Sequence, residues 1–310
     1  MDCGGEKEPD VPDIALNVSD GNVVLQASLS VPPAGRARAG LVPLHGASAP
    51  SRGYFLYRHL TELLSEHGIA VLRYDRRPST GDVPFALQAG DALAALRLLR
   101  SQPGLADVPI GLWGLSQGAW AAATAAAHSD EVAFLVLVGS AGMSPALQMR
   151  YGTARQLRQA GESDEALQEL AELRSTFEAY LRGQQGRGAA QAVVDRFATR
   201  LWFPLVYVPR TLPEAGSWQD MDFDPEPVFA QIHCPVLLFY GEDDDWVPID
   251  ESIAAWQRAA TSADNQDVTI ARLSGTMHLP TLNHGDTIAS ISPEYTGRLT
   301  SWLEAQYPLT

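Results

Sequence analysis

A pentapeptide of the form G-x-S-x-G constrains what this chain can fold into more than any other feature. It occupies residues 114–118, GLSQG, with Ser116 at its centre. The apolar residues 110–113 before it predict a buried strand, and the alanine-rich segment after it has high helix propensity. A strand that turns sharply into a helix at a serine strains that residue and exposes its hydroxyl near the helix N-terminus, where developing negative charge is stabilised. The pattern predicts a nucleophile at Ser116.

The alternative interpretation of the same residues is a glycine-rich turn that contains a serine by chance. Five-residue patterns arise often in unrelated sequences, so the pattern alone has little weight. Its position between an apolar strand and a helix favours the nucleophile.

Composition and charge restrict the kind of partner. The chain has 310 residues, 45% of them hydrophobic, which is enough for one large α/β domain or a core that carries an insertion. Its net charge of −15, from 37 acidic and 22 basic residues, argues against binding to nucleic acid or to an anionic membrane surface. No apolar run approaches the roughly 20 residues that span a bilayer. We therefore expect no nucleic-acid partner and no membrane span, and the oligomeric state stays open.

Residues 1–12 are rich in proline and charge and predict a disordered tail. They contain no apolar segment of the kind found in signal peptides, so we expect a cytoplasmic protein. A lipoprotein attachment site at Cys3, or a secreted origin, is the alternative if a leader has been removed, although Asp2 stands where such a site needs a small residue. The two cysteines, Cys3 and Cys234, do not suggest a disulfide framework.

Apolar patterning predicts strands and helices in alternation along most of the chain. The chain opens with a hairpin at residues 14–19 and 23–31, joined by the turn sequence Asp20-Gly21-Asn22. Such alternation predicts an α/β fold with a mostly parallel sheet of about eight strands and helices on both faces. Further strands are predicted at 41–44, 69–74, 110–113, 132–138, 235–240 and 268–273, and helices at 54–67, 85–100, 249–260 and 293–307.

The alternation stops between residues 143 and 228, where no convincing buried strand is found. Helical patterns cover 163–181, with Ser163 as N-cap, and 189–201, and the rest is rich in aromatic residues and proline. We expect a helical cap inserted after the sixth strand, with the core formed by residues 13–142 and 229–310. The alternative is a helical satellite that only packs on the core, although insertions of this kind often carry function.

Two later segments supply the partners that an activated serine needs. A serine hydroxyl is a poor nucleophile until a base removes its proton, and the base must be oriented by an anion. The strand at 235–240 runs into GEDDDWVP at 241–248, and the strand at 268–273 runs into GTMH, which ends at His278. An acid and a histidine therefore follow Ser116 at the ends of successive later strands.

In these three segments and their order the chain resembles the α/β-hydrolase family of serine hydrolases. The resemblance covers nearly all of residues 14–306 and implies a carboxylesterase-like hydrolase that forms an acyl-enzyme intermediate, without metal or organic cofactor. The family's acid loop reads glycine, two residues, aspartate, two residues, valine-proline. That register implies Asp244 as the acid, with Asp245 as the alternative. The base implied is His278, with His284 as the alternative.

The resemblance also implies an oxyanion hole, built from two backbone N–H donors. One is Gln117, directly after the nucleophile. The other is Ala47, in a His45-Gly46-Ala47 sequence that resembles the family's HG motif. We expect His45 to brace this loop, and the loop at residues 75–77 to be structural.

Other activities stay open at this stage. The same catalytic residues could serve a peptidase, amidase, thioesterase or lactonase, and the fold also occurs in non-catalytic ligand-binding proteins. A haloalkane dehalogenase is disfavoured because its nucleophile would be an aspartate where this chain has Ser116. Hydrolysis of a small-molecule carboxylic ester is the prediction, because an activated serine cleaves esters with the least additional machinery. The candidates for all three catalytic groups disfavour a non-catalytic protein.

Overall fold

A computed structural model describes residues 13–32, 37–48, 51–79, 82–214 and 218–308, and within them eight β-strands form a single sheet. The order in the sheet is β1-β2-β4-β3-β5-β6-β7-β8; β1 and β4 each pair with β2 antiparallel, and the remaining pairs are parallel. This arrangement confirms the predicted fold class. The predicted tail at residues 1–12, including Cys3, lies outside the described residues. The strands are β1 (Ile14–Asp20), β2 (Val23–Ser30), β3 (Ala39–Leu44), β4 (Ile69–Tyr74), β5 (Ile110–Leu115), β6 (Leu135–Val138), β7 (Val236–Gly241) and β8 (Val268–Leu273).

Helices cover both faces of this sheet. α2, α3 and α8 pack on one face, and α1 and α9 pack on the other, each with its own apolar cluster. Since both faces are covered, every residue of the five strands from β3 to β7 is buried. In the described part of the chain, no helix is long and apolar enough to cross a membrane. These helices are α1 (Phe55–Glu66), α2 (Phe85–Arg100), α3 (Gln117–Ala127), α8 (Ile249–Ser262) and α9 (Pro293–Gln306).

Between β6 and β7, all the regular secondary structure of the described residues is helical. It contains α4 (Pro145–Gln159), α5 (Asp164–Leu181), α6 (Arg187–Phe197), a 3-10 helix (Phe203–Val206) and the short α7 (Glu226–Phe229). Residues of α4, α5, α6 and the 3-10 helix form a third apolar cluster, separate from the two on the sheet. The insertion thus has a core of its own, and its role as a cap stays a prediction.

Helix α4 lies outside the helices that the sequence pattern predicted. The Ser144 hydroxyl accepts a hydrogen bond from the Leu147 N–H at 3.4 Å, and Pro145 occupies the first turn. A serine cap followed by proline is a common helix start, so the signal was present in the sequence. Ser163, the predicted cap of α5, accepts from the Ala166 N–H at 3.2 Å.

A buried carboxylate lies inside this helical segment. The side chain of Glu178 is 0% exposed, with Arg150 Nη2 at 2.6 Å, Arg174 Nη2 at 3.5 Å and Arg182 Nη1 at 3.8 Å from its oxygens. An isolated buried charge is costly, so Glu178 and the buried Arg174 depend on each other.

We expect Glu178→Ala to lower the free energy of unfolding by about 3–5 kcal/mol, because it leaves the Arg174 charge buried without its carboxylate. Urea unfolding followed by circular dichroism measures the change. Glu172→Ala is the matched control: Glu172 lies on the same helix and pairs with Arg196 at the surface, so its loss should be below about 1 kcal/mol. Equal losses of unfolding free energy in the two variants would show that the buried cluster contributes no more to stability than the surface pair does.

Candidate active site

The junction of β5 and α3 holds Ser116 in a rare backbone conformation. Its φ is +52° and its ψ is −114°, outside the regions that non-glycine residues favour. The Ser116 N–H donates to the Val138 carbonyl at 2.9 Å, and α3 begins at the next residue. A Cβ at Gly114 would lie 2.5 Å from the Gly118 carbonyl oxygen, so this packing of the first helical turn on the strand requires glycine. The structure thus forms the strained strand-turn-helix that the pentapeptide predicts.

The loop after β7 places one aspartate against a histidine. Asp244 is buried, and its Oδ1 accepts hydrogen bonds from the N–H groups of Trp246 at 2.7 Å and Val247 at 3.0 Å. Its Oδ2 lies 2.9 Å from His278 Nδ1. A carboxylate can only accept, so His278 donates through Nδ1 and keeps Nε2 for another proton transfer.

The His278 imidazole packs against Gly139, the residue that follows β6. A Cβ at Gly139 would lie 2.9 Å from His278 Cε1. Because β5 and β6 are adjacent and parallel, Gly139 lies beside the Ser116 turn, which is bonded to Val138. Ser116, Asp244 and His278 thus follow the carboxyl ends of β5, β7 and β8, which lie within four consecutive strands of the sheet.

Opposing effects set the pKa of His278. Burial, the largest effect, lowers it, but the charge of Asp244, its hydrogen bond and the charge of Asp245 together raise the pKa above its ordinary value. Burial raises the pKa of Asp245 itself. The imidazolium form of His278 is therefore stabilised by its two carboxylate neighbours, with Asp244 in direct contact.

The two alternative residues occupy different positions. Asp245 acts on His278 through its charge, while Asp244 accepts the hydrogen bond that His278 donates from Nδ1. His284 is exposed and lines a separate cleft of about 340 Å³, together with Asp243 and Arg155. The geometry thus favours Asp244 and His278 over the alternatives.

The predicted oxyanion loop follows β3 and packs directly on the start of α3. A Cβ at Gly118 would lie 2.8 Å from the carbonyl oxygens of both Leu44 and His45, so the two backbones approach as closely as glycine allows. Ala47 and Gln117, the two predicted donor residues, line one cleft of about 330 Å³.

His45 is buried beneath this loop. Its Nε2 lies 2.8 Å from the Tyr74 carbonyl oxygen, and burial, the largest effect, lowers its pKa to about 4. The neutral His45 ring thus donates to a backbone carbonyl of β4. This contact holds the loop after β3 to the neighbouring strand, as we expect of a brace.

Arg76, which the sequence pattern marked only as part of a structural loop, contacts both predicted donor residues. Its Nη1 donates to the carbonyl oxygens of Gly46 and Ala47 at 3.3 Å each, and its Nη2 donates to Gln117 Oε1 at 2.5 Å. The available signal was positional: Arg76 follows β4, which neighbours the strand that ends at the oxyanion loop.

Histidine, cysteine and carboxylate side chains do not form a group of three or more that could hold a metal ion among the residues described.

Asp244→Asn should lower the pKa of His278, because it removes the contacting negative charge and leaves the desolvation of the ring in place. NMR titration of the His278 ring protons measures the shift without reference to activity. Asp245→Asn, which removes only a nearby charge, should lower the pKa less. The larger shift in Asp245→Asn would assign the orienting carboxylate to Asp245.

Several solved structures have a similar fold. An esterase from Pyrococcus furiosus, Pf2001, is 17% identical, with a TM-score of 0.61 over 97% of this chain and 94% of its own. A thermostable carboxyl esterase from Bacillus coagulans is 16% identical, with a TM-score of 0.60 over 95% and 98%. A dienelactone hydrolase from Anabaena variabilis is 16% identical, with a TM-score of 0.55 over 96% and 98%.

No curated protein sequence matches the chain. A family model, described as the alpha/beta hydrolase family, matches residues 41–291, which is most of the chain and includes Ser116, Asp244 and His278. The chain therefore belongs to the alpha/beta hydrolase family, as the order of its three motifs implied.

Proposed function

We propose that this protein is a serine hydrolase that cleaves carboxylic esters through an acyl-enzyme intermediate. The observation that carries the proposal is the hydrogen-bonded pair of Asp244 and His278, 2.9 Å apart, beside the strained turn at Ser116. A nucleophile, a base and an orienting acid in this arrangement are what serine hydrolysis requires.

The proposed reaction has two halves. Ser116 Oγ attacks the ester carbonyl carbon while His278 Nε2 takes its proton, and Asp244 holds the imidazolium that forms. The N–H groups of Gln117 and Ala47 stabilise the oxyanion of the tetrahedral intermediate. Collapse breaks the ester C–O bond, and the alcohol leaves with the proton from His278. Water, deprotonated by His278, then attacks the acyl-enzyme, and the carboxylic acid is released as Ser116 regains its proton.

Contacts of the helical insertion support its proposed role as a cap. A Cβ at Gly152 in α4 would lie 2.4 Å from Trp246 Cε3, so α4 packs on the loop that holds Asp244. The Tyr207 ring, which follows the 3-10 helix, lies 5.2 Å from the Trp246 ring. Residues from 143–228 thus reach the acid loop.

The same region supports an apolar substrate of small to medium size. Tyr207 is 61% exposed, and its ring lies beside Trp246 in the acid loop. An exposed aromatic ring beside the proposed catalytic loop suits an apolar acyl or alcohol group. Esters are proposed because their alcohol leaves more readily than an amine, and the esterases among the similar structures agree with this choice.

The proposal is tested by the intact mass of the protein after incubation with a fluorophosphonate. Wild type should gain one adduct, and Ser116→Ala should gain none while it keeps the wild-type circular dichroism spectrum. Ester turnover should fall at least about 10⁴-fold in Ser116→Ala. An unlabelled, folded wild type that hydrolyses no ester would contradict the proposal and favour a ligand-binding protein. A labelled wild type that cleaves thioesters, amides or lactones faster than esters would keep the nucleophile and change the substrate class.

The pH dependence of kcat/KM gives an independent test. His278 must be neutral to accept the proton, so kcat/KM should rise with pH through the pKa of His278, which lies above its ordinary value of about 6.5. Asp245→Asn removes a charge that raises this pKa, and the acidic limb should therefore move to lower pH. A limb that stays in place in Asp245→Asn would show that another group controls it.

A further inference from the structure

We propose that Arg76 is the positioning residue of the oxyanion hole, and that its single guanidinium orients both backbone donors. The inference rests on the proposed function, since it assigns a role toward the oxyanion that forms on Ser116 attack. It gives a specific task to a loop that the sequence pattern marked only as structural.

Within the described residues, the hydrogen bonds of the Arg76 guanidinium go to the loop after β3 and to Gln117. Nη1 reaches the carbonyl oxygens of Gly46 and Ala47 at 3.3 Å, and Nη2 reaches Gln117 Oε1 at 2.5 Å. Gly46 in turn packs on the strand before the nucleophile, since a Cβ there would lie 3.4 Å from Leu115 Cδ2. One planar guanidinium thus ties the loop after β3 to the start of α3.

The bond to the Gly46 carbonyl fixes the direction of the Ala47 N–H. The peptide unit is planar and trans, so the carbonyl oxygen and the N–H on its far side point in opposite directions. With the oxygen held at Nη1, the N–H must point away from the guanidinium. The positive charge of Arg76, at the carbonyl oxygen of Gly46, also polarises the Gly46–Ala47 peptide. This polarisation makes the Ala47 N–H a stronger donor to an anion.

The second donor is fixed through its side chain. Gln117 accepts from Arg76 Nη2 through Oε1 and donates through Nε2 to Asp82 Oδ1 at 3.1 Å. Both ends of the amide are therefore held, and Gln117 is the first residue of α3. Its backbone N–H is thereby restrained at the helix start.

The neighbouring arginine shows what an ordinary structural role looks like in the same loop. Arg77 bonds to the carboxylates of Asp20 and Asp91, each at 2.6 Å. Arg76 is only 12% exposed, yet the nearest carboxylate oxygen among the described residues, on Asp82, is 4.0 Å away. Its hydrogen bonds go instead to neutral oxygens of Gly46, Ala47 and Gln117, beside the predicted oxyanion hole.

The test compares Arg76→Met and Arg76→Lys with Arg258→Gln, which removes an exposed guanidinium that pairs with Glu226 away from this loop. Steady-state kinetics on a p-nitrophenyl ester give kcat and KM, and an aryl trifluoromethyl ketone gives the affinity for a species that forms an oxyanion on Ser116. Unfolding in urea reports stability in each variant.

We expect Arg76→Met to lower kcat by about 10- to 100-fold with KM nearly unchanged, because the oxyanion exists only beyond the ground state. Affinity for the trifluoromethyl ketone should fall by the same factor as kcat/KM. Arg76→Lys, which supplies one point of contact, should lie between Arg76→Met and wild type, and Arg258→Gln should match wild type. Gln117→Ala should cost less than Arg76→Met, and should add little in the Arg76→Met background.

Different failures separate the two proposals. An Arg76→Met protein with wild-type kcat, or one whose kcat falls without loss of ketone affinity, would overturn the positioning role and leave the serine hydrolase intact. If Arg76→Met does not fold, Arg76→Lys and Gln117→Ala test the positioning role in its place. In each of these variants, affinity for the trifluoromethyl ketone should fall by the same factor as kcat/KM. A wild type that neither reacts with a fluorophosphonate nor cleaves esters would refute the proposed function, and the positioning role with it.

Discussion

The rest of the site depends on the strained turn at Ser116. A non-glycine residue at φ +52° costs about 1–3 kcal/mol and persists only where its surroundings enforce it. Here the buried strands supply that enforcement, through the Ser116 N–H bond to Val138 and through contacts that no side chain larger than glycine permits. Gly114 lets the helix return onto the strand, Gly118 admits the loop after β3, and Gly139 leaves space for the His278 imidazole. The same close packing therefore sets the conformation of Ser116, the proposed nucleophile, and the position of its neighbours.

Much of this architecture follows from local pattern. Strands β4 and β8 and helix α2 have the predicted bounds, because each is a clear apolar run or apolar period that polar, glycine or proline residues bound at both ends. The register of the family's acid loop implied Asp244 within an acidic run, and in the structure one oxygen of this residue accepts two N–H groups of its own loop. The role of Arg76 could not be found in this way. Its partners, Gly46 and Gln117, lie 30 and 41 residues away in sequence and become neighbours only through the parallel order of the strands.

Three arginines of this acidic protein, Arg76, Arg77 and Arg174, have different environments. Arg77 is held by two carboxylates at the edge of the sheet, and Arg174 shares a buried carboxylate with two other guanidinium groups inside the insertion. Arg76 instead faces carbonyl and amide oxygens beside the candidate active site. A planar fork with five donors can serve all three environments, whereas the single ammonium of lysine could not span two loops at once.

The helical insertion is stabilised by its own apolar cluster and its own buried ion pairs, and contacts such as that between Gly152 and Trp246 join it to the acid loop. Its interior can therefore accumulate substitutions without repacking the residues beneath the sheet. The chain is therefore modular in its packing: the turn at Ser116 depends on the apolar clusters of the sheet, and the insertion depends on a separate cluster. An engineered replacement of the insertion's interior would thus leave the framework around that turn unchanged.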